Sequence, residues 1–312
     1  MMEWTDRHCR YFLRQFSPVA LLYTEMVVAR ALVRGDRERL LAFHPVEQPL
    51  ALQLGGSDPS ELALAARMGE DHGYVEINLN VGCPSDRVQG GQFGACLMLR
   101  PELVADCVAA MRAAVSLPVT VKTRIGIDDR EDQRFLESFV APVAEAGCHT
   151  FIIHARKAIL RGLTPRQNRE IPPLNHERAC WLKTRFPELE VILNGGLTGS
   201  EAVRPFRSRV DGFMIGRAAY HHPWVLSELH RELIDGEFTP PECEDVVDRM
   251  GGYAAQRLNE GVPLRAITRH MLGMMNGRPG ARAWRRLLSE SAGQPGANAG
   301  LLQRARRAVE AG

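Results

Sequence analysis

Short apolar runs punctuate the first two-thirds of the chain, and most end in polar residues or glycine. They are LLYTEMV from Leu21, LALQLG from Leu50, EINLN from Glu76, VTVKTR from Val119, FIIHA from Phe151, VILNGG from Val191 and GFMIGR from Gly212. Runs of this length, mostly β-branched or otherwise apolar, predict strands of a parallel sheet buried on both faces. Between them, apolar residues recur at helical spacing. Pro101 predicts a helix start, with Leu103, Val104, Cys107, Val108, Met111 and Val115 as its apolar stripe. A second helix is predicted from near Asp132, carrying Phe135, Leu136, Phe139, Val140 and Val143, with a kink or restart at Pro142. The segment TDRHCRYFLRQF predicts a helix near the N-terminus with Thr5 as its cap.

Repeated strand–helix alternation implies a parallel sheet, open or closed. The fold expected is an α/β chain of the (β/α)8 TIM-barrel type. Only seven strands are visible, and the chain begins directly on a helix-like segment. The expectation is therefore a barrel lacking its first strand, which would lie before Met1. After about residue 225 the strand pattern stops, and from Pro240 the text reads as helices punctuated by glycine and proline. This predicts a catalytic barrel over 1–235 and a separate all-helical domain over 240–312.

Composition narrows the class. At 312 residues with 45% hydrophobic content, the chain supports one barrel-sized core plus an appendage. No apolar run approaches the roughly 18 residues of a spanning helix, and the charged start MMEWTDRHCR is unlike a signal peptide. A soluble cytoplasmic protein is expected. The seven cysteines are scattered and contain no C-x-x-C pair, against a disulfide framework and a structural zinc site. Net charge is only +2, yet nine arginines and two glutamates follow from Arg265 onward. Such a basic tail suits a polyanionic partner or simply a solvated helical face, with charge alone deciding between them for neither. Three lysines stand against thirty-six arginines, which makes Lys122 conspicuous.

Functional groups of parallel barrels sit at the C-terminal ends of the strands. There the sequence places Gln53, Asn78, Asn80, Cys83, Lys122, Arg124, His154, Arg156, Asn194, Gly195, Gly196, Gly216 and Arg217. Singly each has a bland role: Gln53 capping a strand, His154 a satisfied interior histidine, Lys122 paired with a carboxylate. Their joint placement favours a site. Asn194–Gly196 and Gly216–Arg217 close the last two strands, where backbone N–H groups and an arginine fork hold phosphate. A flavin mononucleotide, a sugar phosphate or a nucleotide would fit. Lys122, aimed at the barrel mouth, would stabilise an anionic reduced flavin. No G-x-G-x-x-G follows a strand, so a nicotinamide would only visit. Cys83, in a Gly-Cys-Pro loop, carries a thiol that is mostly protonated at neutral pH. It suits a general acid delivering a proton to C5 of a uracil ring after hydride addition at C6; Cys96 and Cys107 better suit small buried hydrophobes.

The segments NLNVGCPSDRV, TVKTRIGID, FIIHARKA and NGG…GR, in order and spacing, resemble the bacterial tRNA-dihydrouridine synthase family over essentially the whole chain. GLTPRQNREIPPL and ITRHMLGMMNGRPGARAWRRLLSE resemble its A-type branch, which modifies D-loop uridines 20 and 20a. The resemblance implies bound FMN, with NADPH as transient reductant. It implies FMN contacts from Gln53, Lys122, His154, Asn194, Gly195, Gly196, Gly216 and Arg217, and Cys83 as proton donor. It implies tRNA contacts from Asn80, Arg166, Arg169, Arg282 and Arg285; arginines grip phosphates and stack on unpaired bases. The target uridine would leave its stack to reach the mouth. A monomer acting without metal or membrane is expected. In one respect the sequence departs from the family, whose members begin with an apolar strand ending in Ala-Pro-Met before WTDRHCRYF; here only Met1 and Met2 precede Glu3. A start codon upstream of Met1 is the expectation; the short form would hold FMN weakly. Two alternatives accompany this reading: an FMN barrel acting on a small molecule, and a tRNA-binding protein with impaired catalysis.

Overall fold

The computed structural model describes residues 1–85 and 90–310. Eight strand segments form one all-parallel sheet: β1 (Leu22–Tyr23), β2 (Val27–Val28), β3 (Leu50–Gly55), β4 (Glu76–Val81), β5 (Val119–Arg124), β6 (Thr150–His154), β7 (Glu190–Asn194) and β8 (Gly212–Met214). The order along the sheet is β1-β3-β4-β5-β6-β7-β8, with β2 also pairing to β3. The seven predicted strands are therefore all present, the first broken in two around Thr24–Met26. Both pieces run beside β3, Leu22 opposite Leu50 and Val27 opposite Leu54. The sheet curls as a barrel does, and among the described residues β8 pairs with no strand but β7.

Helices fill the crossovers, as parallel pairing demands. Pro59–His72 starts under an Asp58 cap whose side chain accepts from the Glu61 N–H and ends on left-handed Gly73. Pro101–Ala114 begins at the expected proline and buries Val104, Cys107, Val108 and Met111. Gln133–Glu145 starts under Asp132 as expected, but runs through Pro142 as one element rather than restarting there. The N-terminal helix, Arg7–Arg14, is capped by Asp6 and not by Thr5. The Asp6 carboxylate accepts from the His8 and Cys9 N–H groups, a charged cap that also answers the helix dipole. The Thr5 hydroxyl donates instead to the Met1 carbonyl.

Beyond β8 the described chain is helical, with Val225–Leu233, Cys243–Asn259, Leu264–Thr268, Ala281–Ser291 and Gly300–Glu310 as its longer pieces. These helices share one apolar core with the sheet, running from Phe12 and Phe16 through the strands to Met271, Trp284 and Leu302. Polar contacts fix the docking. Tyr253 stacks on Tyr11 with ring centroids 3.9 Å apart and hydrogen-bonds His8 Nδ1 at 2.7 Å. Asp6 Oδ2 accepts from Arg269 at 2.5 Å and from His270 Nε2 at 3.0 Å. Gly273 lies so close to the turn after β8 that a Cβ would come within 2.2 Å of the His221 carbonyl oxygen, so only glycine fits.

No described helix is long and apolar enough to cross a membrane. Among the described residues no cluster of three or more His, Cys, Asp or Glu could hold a metal ion.

Candidate active site

Side chains alternate faces along a strand, so every second residue of β4 points into the barrel. These are Glu76, Asn78 and Asn80, and all three are polar. Register sets Gln53 of β3 opposite Asn78, Asn78 opposite Thr120 of β5, and Asn80 opposite Lys122. A continuous series of hydrogen bonds results. Asn80 Nδ2 donates to Gln53 Oε1 (2.9 Å), Gln53 Nε2 to Asn78 Oδ1 (2.9 Å), Asn78 Nδ2 to Thr120 Oγ1 (2.8 Å), and Thr120 Oγ1 to Glu76 Oε1 (2.7 Å). At the upper end Asn80 Oδ1 accepts from the N–H groups of Gly82 and Cys83, at 3.1 and 3.0 Å. The Cys83 loop is thus tied to the strand below it. Cys83 is half-buried at the strand end. Asp86, Arg87 and Val88 of the matching motif lie outside the described residues.

The opposite wall is built differently. Lys122 Nζ donates to Asn194 Oδ1 at 3.1 Å, and Asn194 Nδ2 donates to the Met214 carbonyl at 2.7 Å, which joins β5, β7 and the end of β8. Burial, with the Arg124 charge adding, pushes the Lys122 ammonium down to about 8, while nearby Cys83 acts to raise it. Arg124 donates to the carbonyls of Gly82, Lys157 and Asn168, bracing the Cys83 loop against the segment after β6. His154, at the end of β6, has a buried Nδ1 without a hydrogen-bond partner among the described residues. Burial first, then the charges of Arg124, Lys122, Arg156 and Arg217, hold its imidazole well below the usual histidine range, so the ring is neutral.

Gly195 and Gly196 both take left-handed φ values, 111° and 70°. A Cβ on Gly196 would meet Leu174 Cδ1 at 2.4 Å. The Gly195 carbonyl accepts from His176 Nε2 at 2.7 Å, which fixes the turn. At Gly216 a Cβ would meet the Met1 sulfur at 3.6 Å, an ordinary contact. Arg217 donates to Glu170 Oε1 at 3.3 Å and to the Arg169 carbonyl at 3.2 Å.

Of the residues expected in the site, Gln53, Asn80, Cys83, Lys122, His154, Asn194, Gly195, Gly196, Gly216 and Arg217 all fall at this one end of the sheet. Asn80, expected among the RNA-contacting residues, has its amide engaged inside the barrel. The four arginines fall in two pairs, one after β6 and one in the C-terminal helices. Arg166 is exposed and Arg169 half-buried, at the turn Gln167–Arg169. Arg282 and Arg285 are exposed on Ala281–Ser291. The short helix Arg217–His221 connects the two pairs. Its first residue touches Arg169, and the carbonyl of its last accepts from Asn276, whose Oδ1 accepts from Arg285 at 2.6 Å. Sequence reading missed three supports, namely Glu76, Thr120 and the fully buried Asn168, whose side chain holds the Ile159–Thr164 loop.

Comparison with known proteins adds identity to geometry. Residues 1–310 match the family described as dihydrouridine synthase. The chain is 53% identical over 308 residues to the tRNA-dihydrouridine(20/20a) synthase of Synechocystis sp., covering 99% of this chain and 92% of that one. It is 52% identical to the enzyme of the same name from Vibrio cholerae, over 98% and 93% of the two chains. It is 53% identical to that of Salmonella typhi, over 99% and 93%. Among solved structures, a 2-naphthoyl-CoA reductase complex superposes with a TM-score of 0.56 at 9% identity, which speaks to fold alone. That match covers 74% of this chain, which spans 47% of the reductase chain.

Proposed function

This chain belongs to the dihydrouridine synthase family, and from that premise we propose that its barrel mouth reduces uridine to 5,6-dihydrouridine in tRNA, with a flavin as the hydride source. The specific reading is FMN as resident cofactor, NADPH as its transient reductant, and D-loop uridines 20 and 20a as targets. The enzyme acts as a monomer in the cytoplasm, where its tRNA substrate is, and needs no metal. The barrel over 1–235 carries the chemistry and the helices over 240–312 carry tRNA recognition.

The residues fit a phosphorylated planar cofactor. The observation that carries this is the buried Nδ1 of neutral His154, partnerless among the described residues, beside the Lys122–Asn194 pair and the left-handed Gly195–Gly196 turn. A buried polar atom without a partner costs about 1–3 kcal/mol, which a ligand hydrogen bond recovers. Gly195, Gly196, Gly216 and Arg217 would hold the phosphate, while Gln53, Lys122, His154 and Asn194 would hold the ring system. When bound, FMN supplies a hydride equivalent to C6 of the uracil.

The chain's own residues do the rest. Cys83 holds a proton on Sγ for C5 of the same ring; after transfer the thiolate regains a proton from water. Asn80 and Arg124 keep the Cys83 loop at the mouth by gripping its backbone from two sides. Arg166, Arg169, Arg282 and Arg285 would meet the phosphates and unpaired bases of the RNA while one base enters.

The test is direct. Purified protein supplied with FMN and NADPH is incubated with unmodified tRNA, and the D-loop fragment is weighed. The reading expects a gain of about two daltons per reduced uridine, one hydride and one proton. Loss of that gain in the Arg282→Ala, Arg285→Ala double variant, with the flavin spectrum retained, separates a tRNA enzyme from a barrel that reduces a free small molecule.

A further inference from the structure

The hydrogen-bonded series inside β3, β4 and β5 has fixed roles at both ends. At the bottom Glu76 Oε1 accepts from the hydroxyls of Thr120 and Tyr23, each at 2.7 Å. At the top the backbone N–H groups of Gly82 and Cys83 only donate. Every group between has both a donor and an acceptor: the Thr120 hydroxyl and the amides of Asn78, Gln53 and Asn80. With an acceptor at one end and donors at the other, all four must point the same way. Flipping any single amide would set N–H against N–H and oxygen against oxygen in a site where Asn78 is fully buried.

We propose that Glu76, Thr120 and Asn78, which lie below the mouth, are positioning residues that set the amide orientations of Gln53 and Asn80 and so hold the Cys83 loop in its reactive placement. This rests on the reading of Cys83 as proton donor. The series uses one N–H and one lone pair of Gln53, which fixes which remaining donor and acceptor it can offer a heterocycle. It uses Asn80 Oδ1 wholly on the two loop amides. Arg124 braces the same loop through the Gly82 carbonyl, at 2.9 Å. The loop is thus held by its N–H groups from β4 and by a carbonyl from β5. Loss of the Asn80 tie would leave the loop held through its carbonyls, Gly82 by Arg124 and Cys83 by the Ala95 N–H at 2.9 Å, with its N–H groups released.

Thr120→Val keeps shape and removes the hydroxyl that joins Asn78 to Glu76; Thr120→Ser keeps the hydroxyl. Tyr23→Phe removes the other donor to Glu76 without entering the series. Deuterium exchange of residues 80–85 is measured on each FMN-loaded protein without RNA. The rate of dihydrouridine formation in one turnover is measured on the same samples, with melting temperature as a check on folding.

Thr120→Val should speed exchange at the Gly82 and Cys83 amides and slow the turnover by on the order of tenfold, the worth of one hydrogen bond. Thr120→Ser and Tyr23→Phe should stay near wild type in both. If Thr120→Val does not fold, Asn78→Asp, which lacks the N–H that Thr120 accepts, should give the same pair of effects. Unchanged exchange in both substitutions would overturn the proposal, as would equal effects from Thr120→Val and Tyr23→Phe. Failure of wild-type protein to form dihydrouridine would instead defeat the functional reading, and the exchange data would still decide whether the series holds the loop.

Discussion

The two halves of the barrel mouth are built on opposite principles. Along β3, β4 and the lower part of β5, buried polar groups satisfy one another in an unbroken series ending on the Cys83 loop. Along β6, β7 and β8 they do so only in part, through the Lys122–Asn194–Met214 contacts. Among the described residues His154 Nδ1 lacks a partner, and Arg124, Lys122, Arg156 and Arg217 add positive charge around a neutral imidazole. A satisfied wall holds a reactive group still. An unsatisfied, positively charged wall waits for an anion. The division matches the chemistry proposed: a proton donor on the rigid side and a phosphorylated cofactor on the hungry side.

The largest effect should come from the rigid side. Cys83→Ala should slow uridine reduction by on the order of a hundredfold or more, the usual worth of a general acid, while FMN titration stays unchanged. Equal loss of FMN would show that the two walls are not separate in role. On the other wall, Gly196→Ala places a side chain at φ 70°, at a cost of about 1–2 kcal/mol. It also crowds Leu174. FMN affinity should fall by roughly tenfold, read by fluorescence quenching, with deuterium exchange of the Cys83 loop unaltered.

A pH dependence should follow from Lys122. Its pKa in the folded protein is lowered to about 8, from 10.5. Below 8 it is charged in both folded and unfolded chains, and the burial penalty is fully present. Between about 8 and 10.5 the unfolded chain binds the extra proton, so folding stability of the cofactor-free protein should rise with pH across that window. Affinity for an anionic ligand should fall over the same window as the ammonium is lost. Lys122→Met should flatten both curves; thermal melts and FMN titrations from pH 7 to 10 would show it. The smallest effect belongs to the C-terminal arginines. Arg285→Ala should weaken tRNA binding several-fold and reduce its salt dependence by about one counterion, leaving FMN affinity alone. Filter binding at several salt concentrations would show this.

Most of the frame was legible in the sequence. Seven apolar runs became seven strand positions because fully buried parallel strands leave a plain mark. The unsatisfied wall was legible too, since glycines and an arginine after the last strands have few other uses. The break in LLYTEMV was not, because nothing in the run marks Thr24 as the residue whose hydroxyl accepts from the Gln53 N–H. The helix cap fell to Asp6 over Thr5 because a carboxylate one residue nearer the helix outcompetes a hydroxyl. The satisfied wall was half hidden. EINLN carries polar residues at every second position of a buried strand, which signals an inward-facing polar row. Its partners, Gln53 and Thr120, come from other strands, and only register brings them beside it.

The central claim is that Cys83 delivers a proton to a uracil held over a flavin in this mouth. It is tested most directly by mixing anaerobically prereduced, FMN-loaded protein with unmodified tRNA and following flavin reoxidation by absorbance. Wild-type protein should reoxidise its flavin as dihydrouridine appears, and Cys83→Ala should remain reduced on the same timescale with tRNA bound. Reoxidation of the variant at the wild-type rate, with dihydrouridine formed, would contradict the account.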